Sequence, residues 1–145
     1  MGLDGLLRER APSLTGILNG IDITVWDPAT DPAIAAHFGV DRLEARAANK
    51  AALQRRMGLA VSPDAFLLGV VSRLSWQKGL DLLLNCLPTI TGGGMQLALL
   101  GDGDAELRDA YRAAAAANPG QIGVVTGYDE GLAHLIQAGS DVLVV

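Results

Sequence analysis

The stretch "FLLGVVSRLSWQKGLDLLL", residues 66–84, joins two apolar segments through a short polar loop. Its first six residues form a continuous apolar run, as strands that are buried on both faces do. The loop then contains two cations, Arg73 and Lys78, and Gly79 precedes a leucine-rich run with the length of a helix. The stretch therefore predicts a buried strand, a cationic loop and a helix in succession.

This alternation continues along the rest of the chain. After 66–71, the apolar runs are 95–100, 121–125 and 141–145, and the stretches between them that predict helices are 79–90, 104–117 and 129–138. Continuous apolar strands alternating with helices indicate βαβ units and a parallel sheet covered on both faces. We therefore predict an α/β fold for 63–145, with half of a doubly wound, Rossmann-like sheet.

Residues 1–62 have a different pattern, in which Gly, Pro, Asp and Thr interrupt short apolar pieces. This composition is typical of connecting structure. Within it, "TGILNGID" (15–22) predicts a short strand followed by an Asn-Gly turn, and "WDPATDP" (26–32) predicts a loop.

One helix is predicted in this connecting segment, from an N-cap at about Asp41 to Met57, with Gly58 ending it. Its arginines are interpreted as a solvated face. The apolar residues that would form its inner face are Leu43, Ala47, Leu53 and Met57.

Composition narrows the possible partners. The 145 residues carry 11 Lys and Arg against 16 Asp and Glu, a net charge of -5, with no basic run that would follow a phosphate backbone, so nucleic acid is not an expected partner. No apolar run approaches the roughly 20 residues of a membrane-spanning helix, so no membrane segment is expected. A single cysteine, Cys86, and the lack of a signal-peptide pattern favour the cytoplasm.

The carboxyl ends of parallel strands are where doubly wound sheets bind ligands. Three polar segments follow the first three predicted strands: 72–79, 101–104 and 126–130. All three would meet at one edge of the sheet. By contrast, the glycines of "TGGG" (91–94) would lie at the opposite edge and are interpreted as a turn.

The residues at the predicted binding edge suit a diphosphate. An arginine fork can hold two phosphate oxygens, as Arg73 would, and Lys78 would add a compact charge. Gly79 would let the backbone approach an anion at the start of a helix. The Walker pattern is absent and "GDGD" (101–104) lacks the third glycine of a dinucleotide fingerprint, so neither an ATPase nor a nicotinamide enzyme is supported. These residues alone leave open that the two cations are ordinary surface charges.

Several other residues have structural interpretations. His37 and His134 have no partner at metal-ligand spacing, and no metal site is predicted. Cys86 is predicted to be a small buried hydrophobic residue. The aromatic ring of Trp26 is predicted to pin its loop to the protein.

Two further positions lie near the predicted edge. Asp104 is predicted to cap the following helix. Trp76 is left open between stacking on a sugar and a structural role, and a role for Asp102 is also left open.

Taken together, five stretches resemble one enzyme family. "SRLSWQKGLDLLL" (72–84) resembles the S-R-L-x-x-Q-K-G-x-D-L motif of bacterial glycogen synthases and plant starch synthases. Further stretches are similar to successive segments of that family, in the same order, and together they cover nearly the whole chain: "GILNGIDITVWDPATD" (16–31), "NKAALQRRMGL" (49–59), "LALLGDGD" (97–104) and "GYDEGLAHLIQAGSDVLVV" (127–145).

The resemblance implies a GT-B glycosyltransferase, in which two Rossmann-like domains face each other across a cleft. Such an enzyme transfers glucose from ADP-glucose to the non-reducing end of an α-1,4-glucan with retention of configuration, and it needs no metal or other cofactor. In this fold 1–62 would be an interdomain segment and 63–145 the first half of the C-terminal domain.

The resemblance also implies roles for individual residues. Arg73 and Lys78 match the cations that bind the phosphates and act in catalysis, Tyr128 matches an aromatic residue that packs against adenine, and Asn19 matches a polar residue on the sugar side of the cleft. The edge loops add Gly79, Gly101 and Asp102 as expected substrate contacts.

Two of the family's motifs do not occur in these 145 residues: the K-x-G-G-L donor loop, with the catalytic histidine of its domain, and the acidic E-P-C-G motif. The sequence is therefore expected to be a fragment that is inactive alone and has the N-terminal domain and the rest of the C-terminal domain as partners. Two alternatives remain, a related GT-B transferase that uses a UDP-sugar and a nucleotide-binding module without transfer activity.

Overall fold

The computed structural model describes residues 2–145. A four-stranded parallel sheet forms its centre, with the strand order β3-β2-β1-β4. The strands are β1 (Leu67–Val71), β2 (Gln96–Gly101), β3 (Ile122–Thr126) and β4 (Val142–Leu143). The α-helices are α1 (Asp4–Glu9), α2 (Arg46–Arg56), α3 (Leu80–Gly92), α4 (Ala105–Ala117) and α5 (Glu130–Gly139).

Helices cover both faces of the sheet. Alternate residues of β2 point in opposite directions, so Leu97 and Leu99 enter one apolar cluster while Ala98 and Leu100 enter the other. The first cluster includes residues of α3 and α4, and the second includes residues of α2 and α5. All six residues of β2 are buried, which confirms the predicted parallel sheet covered on two sides. The strands and helices predicted after residue 63 are present, although β4 is shorter than the predicted 141–145.

The predicted strand in 15–22 is wrong. The structure contains no strand between residues 14 and 22, and the side chains there are exposed, with Ile17 89% and Leu18 95% exposed. A strand needs a partner for its backbone groups, and no described segment pairs with this one. The loop predicted at 26–32 is confirmed as a series of turns.

The connecting helix begins later than predicted. A 3₁₀ turn (Leu43–Ala45) precedes α2, so Asp41 is not its N-cap, and Leu43 and Ala47 are exposed instead of facing the core. Leu53 and Met57 are buried as expected.

Two polar side chains complete the buried face of α2. The side chain of Asn49 donates to the Ala36 carbonyl (2.8 Å) and accepts from the Ala36 N–H (2.9 Å). Gln54 donates to the Gln96 side chain at 2.8 Å. Because hydrogen-bonded polar groups can be buried at little cost, a stripe of apolar residues alone does not identify this face.

Cys86 is also placed differently from the prediction. It is exposed on α3, whose buried residues are Leu80, Leu87 and Ile90. The leucine-rich sequence around it hides which face of the helix packs on the sheet.

The loop at 26–32 is fixed to α5 by a buried pair. The ring of Trp26 stacks on His134 with 3.7 Å between centroids, and His134 Nδ1 lies 2.6 Å from Asp31 Oδ2. Burial opposes ionisation of Asp31, but hydrogen bonds from His134 and the Ala33 N–H outweigh it and hold the pKa of Asp31 below its ordinary value. The predicted role of Trp26 in pinning the loop is confirmed.

The boundary at residue 62 stays a prediction, since α2 of the connecting segment packs against α5. Within residues 2–145, none of the helices is both long and apolar enough to span a lipid bilayer.

Candidate functional site

A pocket of about 490 Å³ lies at the carboxyl ends of the first three strands. Its walls are formed by 71–73 at the end of β1, 100–102 at the end of β2 and 127–129 after β3, with Ala133 of α5. The pocket therefore lies at the edge of the sheet where the sequence predicted a ligand site.

Backbone hydrogen bonds join the loops after β1 and β2. The Leu74 N–H donates to the Asp102 carbonyl at 2.9 Å, and the Asp104 N–H donates to the Leu74 carbonyl at 2.8 Å. Gly101 is needed at this junction because a Cβ atom there would overlap the Ser72 carbonyl oxygen. Its lack of a side chain is thus explained by packing between the loops, although Gly101 also lines the pocket.

Arg73 is exposed and lines the pocket. Within residues 2–145 its guanidinium forms no ion pair and no hydrogen bond. An exposed guanidinium without a partner in this part of the chain is available to an anion.

Lys78 and Gly79 do not line the pocket, and they lie further along the connection from β1 to α3. Lys78 ends a 3₁₀ turn (Trp76–Lys78) and is exposed, and no ion pair joins it to another described residue. Gly79 has a φ of 68°, which favours glycine, and connects this turn to α3. Trp76 is 54% exposed in the same turn.

Tyr128 lines the pocket although 86% of the residue is exposed. Its hydroxyl donates to Glu130 Oε2 at 3.0 Å, and this hydrogen bond to a carboxylate raises the pKa of Tyr128. The hydroxyl is thus held by Glu130, with the ring of Tyr128 at the pocket wall.

The two aspartates after β2 have different roles. Asp104 Oδ1 accepts from the N–H groups of Glu106 (2.9 Å) and Leu107 (3.3 Å), so its predicted role as the N-cap of α4 is confirmed. Asp102 is exposed in the pocket wall, accepts from the Gly103 N–H at 2.8 Å and lies 3.8 Å from Arg108 Nη1.

Asp129 also lines the pocket, and the sequence did not single it out. Its Oδ1 accepts from the Leu132 N–H at 2.8 Å, which caps α5, and its Oδ2 accepts from Arg56 Nη2 at 2.7 Å. The Leu132 bond and the Arg56 charge, opposed by burial, hold the pKa of Asp129 below its ordinary value. The sequence carries no signal for this pair, because 73 residues separate its members and arginines on a helix surface are usually solvated.

The pocket thus brings together Arg73, Gly101, Asp102 and Tyr128 of the predicted site. Asn19 lies apart, in the exposed segment before the turns at 23–25. Among residues 2–145, no three His, Cys, Asp or Glu side chains are grouped so that they could hold a metal ion.

Sequence comparison gives close relatives for the whole chain, although no family model matches it. All 145 residues align with 69% identity to glycogen synthase 2 of Bradyrhizobium diazoefficiens, with 66% identity to a glycogen synthase of Rhodopseudomonas palustris and with 60% identity to that of Methylocella silvestris. In each case the chain spans 30% of the relative's length.

Structural comparison agrees with these alignments. The catalytic domain of starch synthase IV from Arabidopsis thaliana, solved bound to ADP and acarbose, matches 98% of this chain with a TM-score of 0.87 and 32% identity, over 30% of its own length. The predicted resemblance to glycogen and starch synthases and the predicted GT-B fold are both confirmed.

Proposed function

We propose that this chain, which matches the glycogen and starch synthases along its whole length, forms one wall of the donor site in a glucan synthase. The enzyme would transfer glucose from ADP-glucose to the non-reducing end of an α-1,4-glucan with retention of configuration. The observation that carries the proposal is the 69% identity to a glycogen synthase across all 145 residues. The matching starch synthase structure holds ADP and acarbose. These ligands support ADP-glucose as the proposed donor and a glucan as the proposed acceptor.

The residues of the pocket suit the departure of ADP. As the glycosidic bond breaks, negative charge develops on the diphosphate, and fixed cations stabilise it most when they need no reorganisation. Arg73 lines the pocket without an internal partner among the described residues and would hold the phosphates. Lys78, exposed in the next turn, would approach the same diphosphate from the pocket's rim.

The walls beside Arg73 suit a nucleoside. Val71, Leu100 and Ala133 are apolar, and the ring of Tyr128 stands next to them, so adenine would pack against Tyr128. The proposed substrate contacts that complete the site are Gly79, Gly101, Asp102 and, on the sugar side, Asn19.

We propose that the reaction needs no metal, because the two cations supply the positive charge. The proposed location is the cytoplasm, and no nucleic acid or membrane is a proposed partner. The remaining part of the protein would supply the opposite wall of the cleft. The side chains of Ile17, Leu18 and Ile21 are apolar and exposed. They would form a second surface that contacts the remaining part of the protein.

The test is transfer of radiolabelled glucose to glycogen by the full-length protein. We expect incorporation from ADP-glucose and much less from UDP-glucose at equal concentration. Preference for UDP-glucose would identify the related GT-B transferase instead. Binding of ADP without any incorporation would indicate a nucleotide-binding module.

A further inference from the structure

Two carboxylates stand in the wall of a pocket that we assign to a diphosphate. Asp102 and Asp129 both line it, and an uncompensated negative charge there would repel an anionic donor. Each has an arginine partner outside the pocket lining. Arg56 Nη2 lies 2.7 Å from Asp129 Oδ2, whereas Arg108 Nη1 lies 3.8 Å from Asp102 Oδ1. The shorter contact, at Asp129, is the better candidate for a functional pair.

The position of Asp129 couples it to the donor pocket. It follows Tyr128 directly, and its two oxygens are held from different sides, one by the Leu132 N–H of α5 and the other by Arg56. Gly127, with a φ of 114°, begins the same short loop and has open space around its α-carbon. The Asp129 contacts therefore fix the end of a loop that begins in a backbone conformation favouring glycine.

Arg56 is itself held by a rigid element. It is the last residue of α2, and the neighbouring Leu53 and Met57 are buried in the core shared with α5. Its side chain is 55% exposed and that of Asp129 is 34% exposed. Water therefore screens the attraction between the two charges only in part.

We propose that Arg56 is a positioning residue for donor binding. It neutralises Asp129 and holds the loop 127–129, so that Tyr128 and the pocket favour an anionic nucleotide. Arg56 does this without lining the pocket itself. The inference rests on the proposed function, since it takes ADP-glucose as the ligand of this pocket.

The experiment compares Arg56→Met with Arg55→Met in the full-length protein. Arg55 is the matched control, because it is an adjacent exposed arginine of α2 that forms no ion pair with a described residue. For Arg56→Met we expect the Kd of ADP and the KM of ADP-glucose to rise about two- to fivefold, the range that a partly exposed ion pair supports. We expect kcat and Tm to stay close to the wild type, and Arg55→Met and Arg56→Lys to retain wild-type KM.

A second substitution separates the effect of the Asp129 charge on donor binding from the effect of the Arg56 contact on the loop. Asparagine caps a helix about as well as aspartate, so Asp129→Asn removes the charge and keeps the cap. In the Arg56→Met background it should return KM to the value of the Arg55→Met control. A KM for Arg56→Met equal to that of Arg55→Met would overturn the inference, and so would a double variant no better than Arg56→Met. A wild-type protein that neither binds ADP nor transfers glucose would instead refute the proposed function.

Discussion

Arg73 is a charged side chain that the described protein leaves unpaired at a pocket wall. Because Arg73 is exposed in the pocket lining, its planar guanidinium is available to hydrogen-bond an anionic ligand. Lys78 shares this lack of an ion pair with the described residues but lies outside the lining. Both cations are therefore available to an anionic ligand, and we propose that both bind the diphosphate.

Replacing either cation by alanine should reduce turnover. If each acts as a preorganised donor to developing charge, Arg73→Ala and Lys78→Ala should each cost about 2.7 to 4 kcal/mol of transition-state stabilisation. Both side chains are exposed, so Tm should be unchanged. The measurement is kcat/KM for ADP-glucose together with thermal unfolding. Normal turnover in both variants would remove the phosphate assignment.

Tyr128 should act on donor binding more than on the chemical step. Stacking on adenine is equal in the ground and transition states, so its loss raises KM and leaves kcat nearly unchanged. Tyr128→Leu tests this with steady-state kinetics in ADP-glucose. Tyr128→Phe is the matched control, because it keeps the ring and removes only the hydroxyl that donates to Glu130. A fall in kcat at constant KM would show that stacking is the wrong role.

Close backbone contacts between the loops after β1 and β2 hold these two walls of the site together. The loops after β1 and β2 pair across Leu74 and Gly103, and Gly101 touches the Ser72 carbonyl where a side chain has no room. Gly101→Ala should therefore destabilise the protein by about 1 to 3 kcal/mol through overpacking. Gly92→Ala, at the end of α3 with open space around it, is the control and should be neutral or slightly stabilising. Equal unfolding curves for the two variants would contradict the contact.

The connection between the 26–32 loop and α5 should be sensitive to acid. The folded-state pKa of Asp31 is lowered, so its contribution to stability is complete above the unfolded value, 3.8, and is lost as the pH falls through the lower folded value. Asp31→Asn should be less stable than the wild type at pH 5, and the difference should shrink below about pH 4. The measurement is Tm against pH for both proteins. A difference that stays constant down to pH 2.5 would contradict the assignment.

The sequence predicts the elements of this fold well where apolar runs are continuous, as in 66–71 and 95–100. It fails where a local pattern lacks a tertiary partner, as in the exposed 15–22 segment. It also fails where tertiary partners are distant, because Asp31 and His134 are 103 residues apart, and Arg56 and Asp129 are 73 apart. The pocket edge follows from topology, but the Arg56–Asp129 ion pair depends on a contact that no local motif encodes.

At the largest scale, the net charge of the chain is negative, whereas the proposed binding site contains cations. These 145 residues, which span 30% of the length of their relatives, have a net charge of -5, and their field opposes the approach of an anionic nucleotide. We propose that the donor is attracted by the cations at the carboxyl edge of the sheet, where the pocket of about 490 Å³ is found. The central claim is therefore that ADP binds at the carboxyl edge of the sheet.

The most direct test is a crystal structure of the full-length protein with ADP. We predict that the diphosphate lies at the carboxyl edge of β1 and β2, with phosphate oxygens about 2.7 to 2.9 Å from the Arg73 guanidinium, as charge-assisted hydrogen bonds require. The adenine should pack against Tyr128. ADP bound in another part of the protein, or in this pocket with its phosphates turned away from Arg73, would contradict the assignment.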